Sequence, residues 1–379
     1  MKNPHAVRRL TRGAGLALAA LLTLAGCSSV EKPKPTPLEP ITERITGRQV
    51  WRQALGRPLP GLGVAVLGDR FLLATEDGRI VSLDIATGAL RQQMSVGAAL
   101  AAGVGSDGRH AAVVTRDNDL VVVDGEREVW RTRLATRVVT PPLVAGERVF
   151  VHGVDRGIAA FDVFDGRRLW SVTRTGEALA LAQPGVLLPY RNTLLAGMGA
   201  RLLALDPLSG AARADVTLAS PRGTNEVERL ADLVGPAGRH GEVVCVRAFQ
   251  AGVSCLNAER NTVLWSRAQA GYQGVAVDGE FVFGADASDR ITAWRRNSGD
   301  PAWTSDKLRY RGLTTPLAVG STVVFGDSEG WLHLLSRDRG EPLLRLPTDG
   351  SAIIAPPVRA GLTMLAVTRA GNVFAFRPE

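Results

Sequence analysis

The chain has 379 residues, a formal net charge of +8 and 45% hydrophobic residues, with three cysteines and five histidines. That length and apolar content are enough for a folded domain with a sizeable core. Four of the basic residues (Lys2, Arg8, Arg9 and Arg12) lie in positions 1–26, where there is no acidic residue, so removing that stretch leaves +4. The remaining arginines are spread singly among aspartates and glutamates, and no basic stripe suited to nucleic acid is present.

The first predicted element is a secretory signal, residues 1–26. A basic start is followed by "GLALAALLTLAG" (15–26), which is too short to span a bilayer as a helix. "LAGC" (24–27) is a bacterial lipobox, in which Cys27 becomes thioether-linked to diacylglycerol and then acylated. More than one acyl chain anchors a protein stably. Ser28, in place of Asp, resembles lipoproteins sorted to the outer membrane. Residues 27–40, "CSSVEKPKPTPLEP", read as an extended proline-rich tether.

From Trp51 on, the chain reads as strand, turn, strand, with no sustained helical period. One phrase recurs: a turn, an apolar run ending in Leu-Asp or its equivalent, a glycine turn, then Trp or another large apolar residue. It appears as "EDGRIVSLDIATGALRQQ" (76–93), at 117–130, as "DRGIAAFDVFDGRRLW" (155–170), and at 199–213, 251–265, 288–303, 328–344 and 369–378. Eight copies about forty residues apart predict an all-β, eight-bladed propeller of four-stranded blades over residues 41–379. The last copy ends after its third strand, so "ITERITGRQVWRQ" (41–53) is expected to supply the fourth and close the ring, leaving no open edge.

Enzyme chemistry finds little support in the residues. "GVGSDG" (103–108) has the spacing of a dinucleotide loop but precedes another strand instead of a helix. His110, His152, His240 and His333 fall in different copies without metal-ligand spacing and read as surface or turn residues. Cys245 and Cys255 lie in neighbouring apolar runs and read as small core residues, with a disulfide permitted in an oxidising compartment. The one marked interruption of the repeat is "ASPRGTNEVERLADLVG" (219–235). Charged loops are commonly only solvated, yet binding residues also concentrate on loops held by a rigid scaffold.

The Leu-Asp, Thr-Gly, Trp phrase resembles the repeat of pyrroloquinoline-quinone dehydrogenases. Those enzymes are longer and carry adjacent cysteines and a calcium site; no Cys-Cys pair exists here, and calcium ligands cannot be assembled. With the lipobox, the eight copies and "NEVERLADL" (225–233), the chain from about residue 40 resembles the BamB family, lipoproteins of the outer-membrane β-barrel assembly (BAM) machinery. The resemblance implies a non-catalytic scaffold without cofactor or metal, held at the periplasmic face of the outer membrane. It implies that loops of two adjacent blades bind the periplasmic POTRA domains of BamA, within the BAM complex that assembles unfolded outer-membrane protein clients. The matching residues are Arg229, Leu230 and Asp232 in the insert and Leu179 and Leu181 in "GEALALAQPG" (176–185). Asp232 is expected to meet a basic group on BamA. Val234 stands where the family often has a second acid, and Ala182 where it has an arginine. The alternatives are a quinone-type dehydrogenase and a propeller that binds an unrelated envelope partner.

Overall fold

A computed structural model describes residues 33–58, 63–173, 179–221 and 223–378, so Cys27 and the signal lie outside the described residues. Eight antiparallel four-stranded sheets follow one another. Seven are simple meanders, over 65–95, 105–133, 143–172, 187–217, 233–268, 276–305 and 317–347. The first strands of neighbouring blades touch, as Leu143–Ala145 does Leu187–Tyr190 and Leu233–His240 does Ala276–Val277, so they line the axis. Strands two and three are buried almost throughout because neighbouring blades cover both faces, which is why their sequences do not alternate.

The eighth blade takes Val358–Ala360, Thr363–Val367 and Asn372–Pro378 from the C-terminus and Gly47–Ala54 from the N-terminus. Gly47 pairs with Pro378 and Ala54 with Asn372, so the ring closes as the sequence predicts. Residues 35–40, which the proline pattern assigns to a tether, belong to the compact unit that starts at Pro35. Leu38 packs into the core between blades six and seven.

The tryptophans of the repeat act as staples between blades. Trp51, Trp130, Trp170, Trp265 and Trp303 occupy the same register position on the outermost strand, opposite Ala375, Val122, Ala160, Cys255 and Ala293. Each indole N–H donates to a carbonyl in the next blade, for example Trp265 to Arg296 at 2.7 Å and Trp130 to Val163 at 2.8 Å. The ring lies on that blade's turn glycine. Gly299, at φ 70°, could not carry a side chain, because a Cβ would come within 2.5 Å of the Trp265 ring. The other three junctions have Gln92, Ala214 and Leu344 at this position.

Cys245 and Cys255 face each other on adjacent strands, Cα atoms 4.1 Å apart, and form a disulfide that is fully buried. The reading of two core residues is right about burial, and the disulfide that it left open is formed. The short turn at 249–251 sets the register that brings the sulfurs together, and a spacing of ten residues does not reveal it. The histidines also need correcting. His110, His152 and His333 are buried within blades, and among the described histidines only His240 is exposed.

Candidate functional site

All connections from the outermost strand of one blade to the innermost strand of the next lie on one face of the ring, because every blade is an up-and-down meander. Two of them, 173–186 and 218–232, carry the segments singled out above, 176–185 and 219–235, the second of which runs on into the strand that starts at Leu233. Residues 174–178 and Arg222 are outside the described residues. In the insert, Asn225 and Glu228 shape a compact turn: the Asn225 side chain accepts from the Glu228 N–H at 2.9 Å, and the Glu228 carboxylate from the Thr224 N–H at 2.8 Å. Those Thr224 contacts pull the Glu228 carboxyl below its ordinary pKa. Val227 stands exposed at the tip, and Arg229 and Leu230 are half-buried.

Asp232 is not the free, partner-facing carboxylate that the sequence suggests. Its Oδ1 accepts from Arg156 Nε at 2.8 Å, and its Oδ2 from Arg156 Nη2 at 3.2 Å and the Leu181 N–H at 3.3 Å. Arg156 Nη2 also donates to the Leu179 carbonyl at 2.9 Å. One guanidinium thus joins both candidate loops, and the side chains of the pair are only 17% and 13% exposed. The backbone continues the clip: Gly235 N–H donates to the Pro184 carbonyl at 2.9 Å, and Gly185 bridges to Val234. Val234 is 1% exposed, so the position where the family often has an acid is core here, while Ala182 is exposed.

Leu179, Leu181 and Asp232 are therefore brought together around Arg156, and Arg229 and Leu230 lie in the same insert on the same face, with Leu230 turned to the blade-five side. Beside them, between the insert and blade five, is an open hollow of about 560 Å³ lined by Leu218, Glu228, Leu230, Ser254, Ser266 and Arg267.

Sequence reasoning missed Arg156, although a signal existed. It occupies the turn between the second and third strands, where its N–H donates to the Gly153 carbonyl. Five other copies place Gly78, Asn118, Asp289, Gly330 and Gly371 there, with the same bond and positive φ. An arginine at φ 65° in a slot suited to Gly or Asn is costly locally and points to a role.

Beneath the clip sits His152, 7% exposed, with Nδ1 unpartnered and its ring against Gly185. Burial pushes its pKa down to about 4, against the opposing pull of Asp232 and Asp155. A base with a lowered folded pKa contributes stability that is full above its unfolded value near 6.5 and lost as pH falls through 4. We expect acidification from pH 7 to 4 to cost about 3 kcal/mol through this residue. His152→Leu should flatten that part of the profile in urea melts at several pH values; an unchanged slope would show that His152 is not the group responsible.

Taken as a class, this is a propeller of quinoprotein-type repeats whose built surface is a pair of clipped loops on one face. The sequence matches the family described as outer membrane protein assembly factor BamB over residues 41–93 and 87–305. It is 33% identical to the assembly factor BamB of Bordetella pertussis, over 97% of each chain. It is also 33% identical to that of Burkholderia pseudomallei, over 95% of this chain and 96% of the other. Its fold superposes on the crystal structure of BamB from Moraxella catarrhalis with a TM-score of 0.80, at 22% identity, covering 88% of this chain and all of that one. The chain belongs to the BamB family.

Proposed function

We propose that the protein is a non-catalytic subunit of the outer-membrane β-barrel assembly machinery, a lipoprotein anchored through Cys27 at the periplasmic face. Its clipped loops bind the POTRA domains of BamA and hold them for client insertion. The observation that carries this reading is the Arg156 clip. It joins loops from adjacent blades into one prearranged surface, with Leu179, Leu181 and Leu230 half-buried beside polar groups. An apolar patch with a polar rim is the usual anatomy of an interface, and prearrangement lowers the entropy cost of binding.

The test is capture of the tagged full-length lipoprotein from detergent-solubilised envelope. BamA is expected as the dominant partner. A capture dominated by some other envelope protein, with BamA absent, would favour the unrelated-partner alternative.

A further inference from the structure

Residues 35–46 form a strap across the thickness of the ring. At its start, Thr36 N–H donates to the Arg309 carbonyl and Arg311 Nη1 to the Thr36 carbonyl, each at 2.9 Å. Arg309 and Arg311 belong to the connection between blades six and seven, on the same face as the clipped loops. At the far end, Arg44 N–H donates to the Leu343 carbonyl at 3.0 Å, where Pro342–Pro347 begins on the opposite face. Between them, Arg345 reaches the Glu39 carbonyl at 3.3–3.4 Å, Leu38 packs between blades six and seven, and Ile45 packs between blades seven and eight.

The anchor of the strap is rigid. Arg311 is 2% exposed and is held by Asp327 at 2.8 Å and by Glu329, while Asp327 is itself held by His333 at 2.9 Å. Paired and hydrogen-bonded, such a buried charge resists displacement.

We propose that this strap orients the propeller on the membrane, so that the clipped loops face the lipid surface to which Cys27 is attached. The inference rests on the lipid-anchor reading above. Without the strap, the closing strand at Gly47 would begin twenty positions after Cys27, a reach of about 70 Å at 3.3–3.6 Å per residue. That length would let either face approach the bilayer. With the strap docked, Pro35 comes eight positions after Cys27, a reach of about 28 Å, and the Thr36 contacts hold this end of the strap on the loop face.

The test uses full-length acylated protein in phosphatidylethanolamine–phosphatidylglycerol vesicles that carry an acceptor dye on the headgroups. Mass spectrometry first confirms the acyl chains on Cys27. A donor is placed on Asn225→Cys, exposed on the loop face, or on Leu208→Cys, exposed on the opposite face. The native disulfide leaves no competing thiol among the described residues. Energy transfer should be higher from position 225 than from 208, and the difference should vanish when residues 35–40 are replaced by a Gly-Ser chain of equal length together with Arg345→Ala, which removes the prolines, Leu38 and the Glu39 contact and so frees the end held at Thr36, while Arg311 keeps Asp327 and Glu329. Equal transfer in the acylated wild type, or a difference that survives release, would overturn the inference. Absent acyl chains would overturn the lipid-anchor reading and this inference with it.

Discussion

Deletion of residues 47–54 should leave the ring open and largely unfolded at physiological temperature. The deleted strand forms seven register pairs with Asn372–Pro378, which would become a bare edge inviting association. It also carries Trp51, 8% exposed, whose indole donates to the Ile85 carbonyl of blade one at 3.1 Å. Truncating a buried tryptophan alone costs about 3–5 kcal/mol. Whole domains are stable by only about 5–15 kcal/mol, and the strand's hydrogen bonds are lost as well. Trp51→Ala should therefore lower the melting temperature clearly, and the deletion should give aggregates or an expanded chain by size-exclusion chromatography. A monomeric deletion variant with the wild-type melting temperature would mean that closure contributes little.

The second large effect concerns the clip. Asp232→Ala removes the Asp232 carboxylate from the mostly buried Arg156 guanidinium, and Arg156→Ala removes the guanidinium from Asp232. Breaking such a pair from one side costs about 3–5 kcal/mol when burial is complete, and less here because both groups keep some contact with solvent. We expect both variants to fold, to lose local order in the two loops, and to weaken POTRA binding tenfold or more, about 1.4 kcal/mol per factor of ten. The double variant should be little worse than either single one, since paired residues are non-additive. If Asp232 instead served the partner directly, Asp232→Ala would weaken binding while Arg156→Ala left it intact. Calorimetric titration of the single and double variants separates the two cases.

Most of the architecture could be read from local chemistry. Turn glycines, apolar runs and repeated tryptophans recur with a period near forty, which helical repeats share, and the absence of a helical pattern leaves the four-stranded blade as the unit that fits it. Closure was legible because the last copy runs short by one strand. The insert stood out because it breaks the period. What could not be read were contacts between distant positions. Asp232 meets Arg156, 76 residues upstream, and its charge alone pointed outward to a partner. Cys245 and Cys255 required a register, and the buried histidines required knowing which turns lie inside blades. The strap escaped notice because alternating prolines describe an extended chain equally well whether it is free or docked. Arg311, 275 residues from Thr36, gave no sign of holding it.

Whether the clipped loop surface binds the periplasmic domains of BamA is measured most directly by calorimetric titration of isolated POTRA domains into the propeller. Leu230→Asp is the decisive variant, because Leu230 is half-buried at the surface and lies outside the blade strands. The wild type should bind, and Leu230→Asp should lose at least tenfold in affinity, about 1.4 kcal/mol, with an unchanged circular dichroism spectrum and melting temperature. No binding by the folded wild type, or full affinity in a folded Leu230→Asp, would contradict the account.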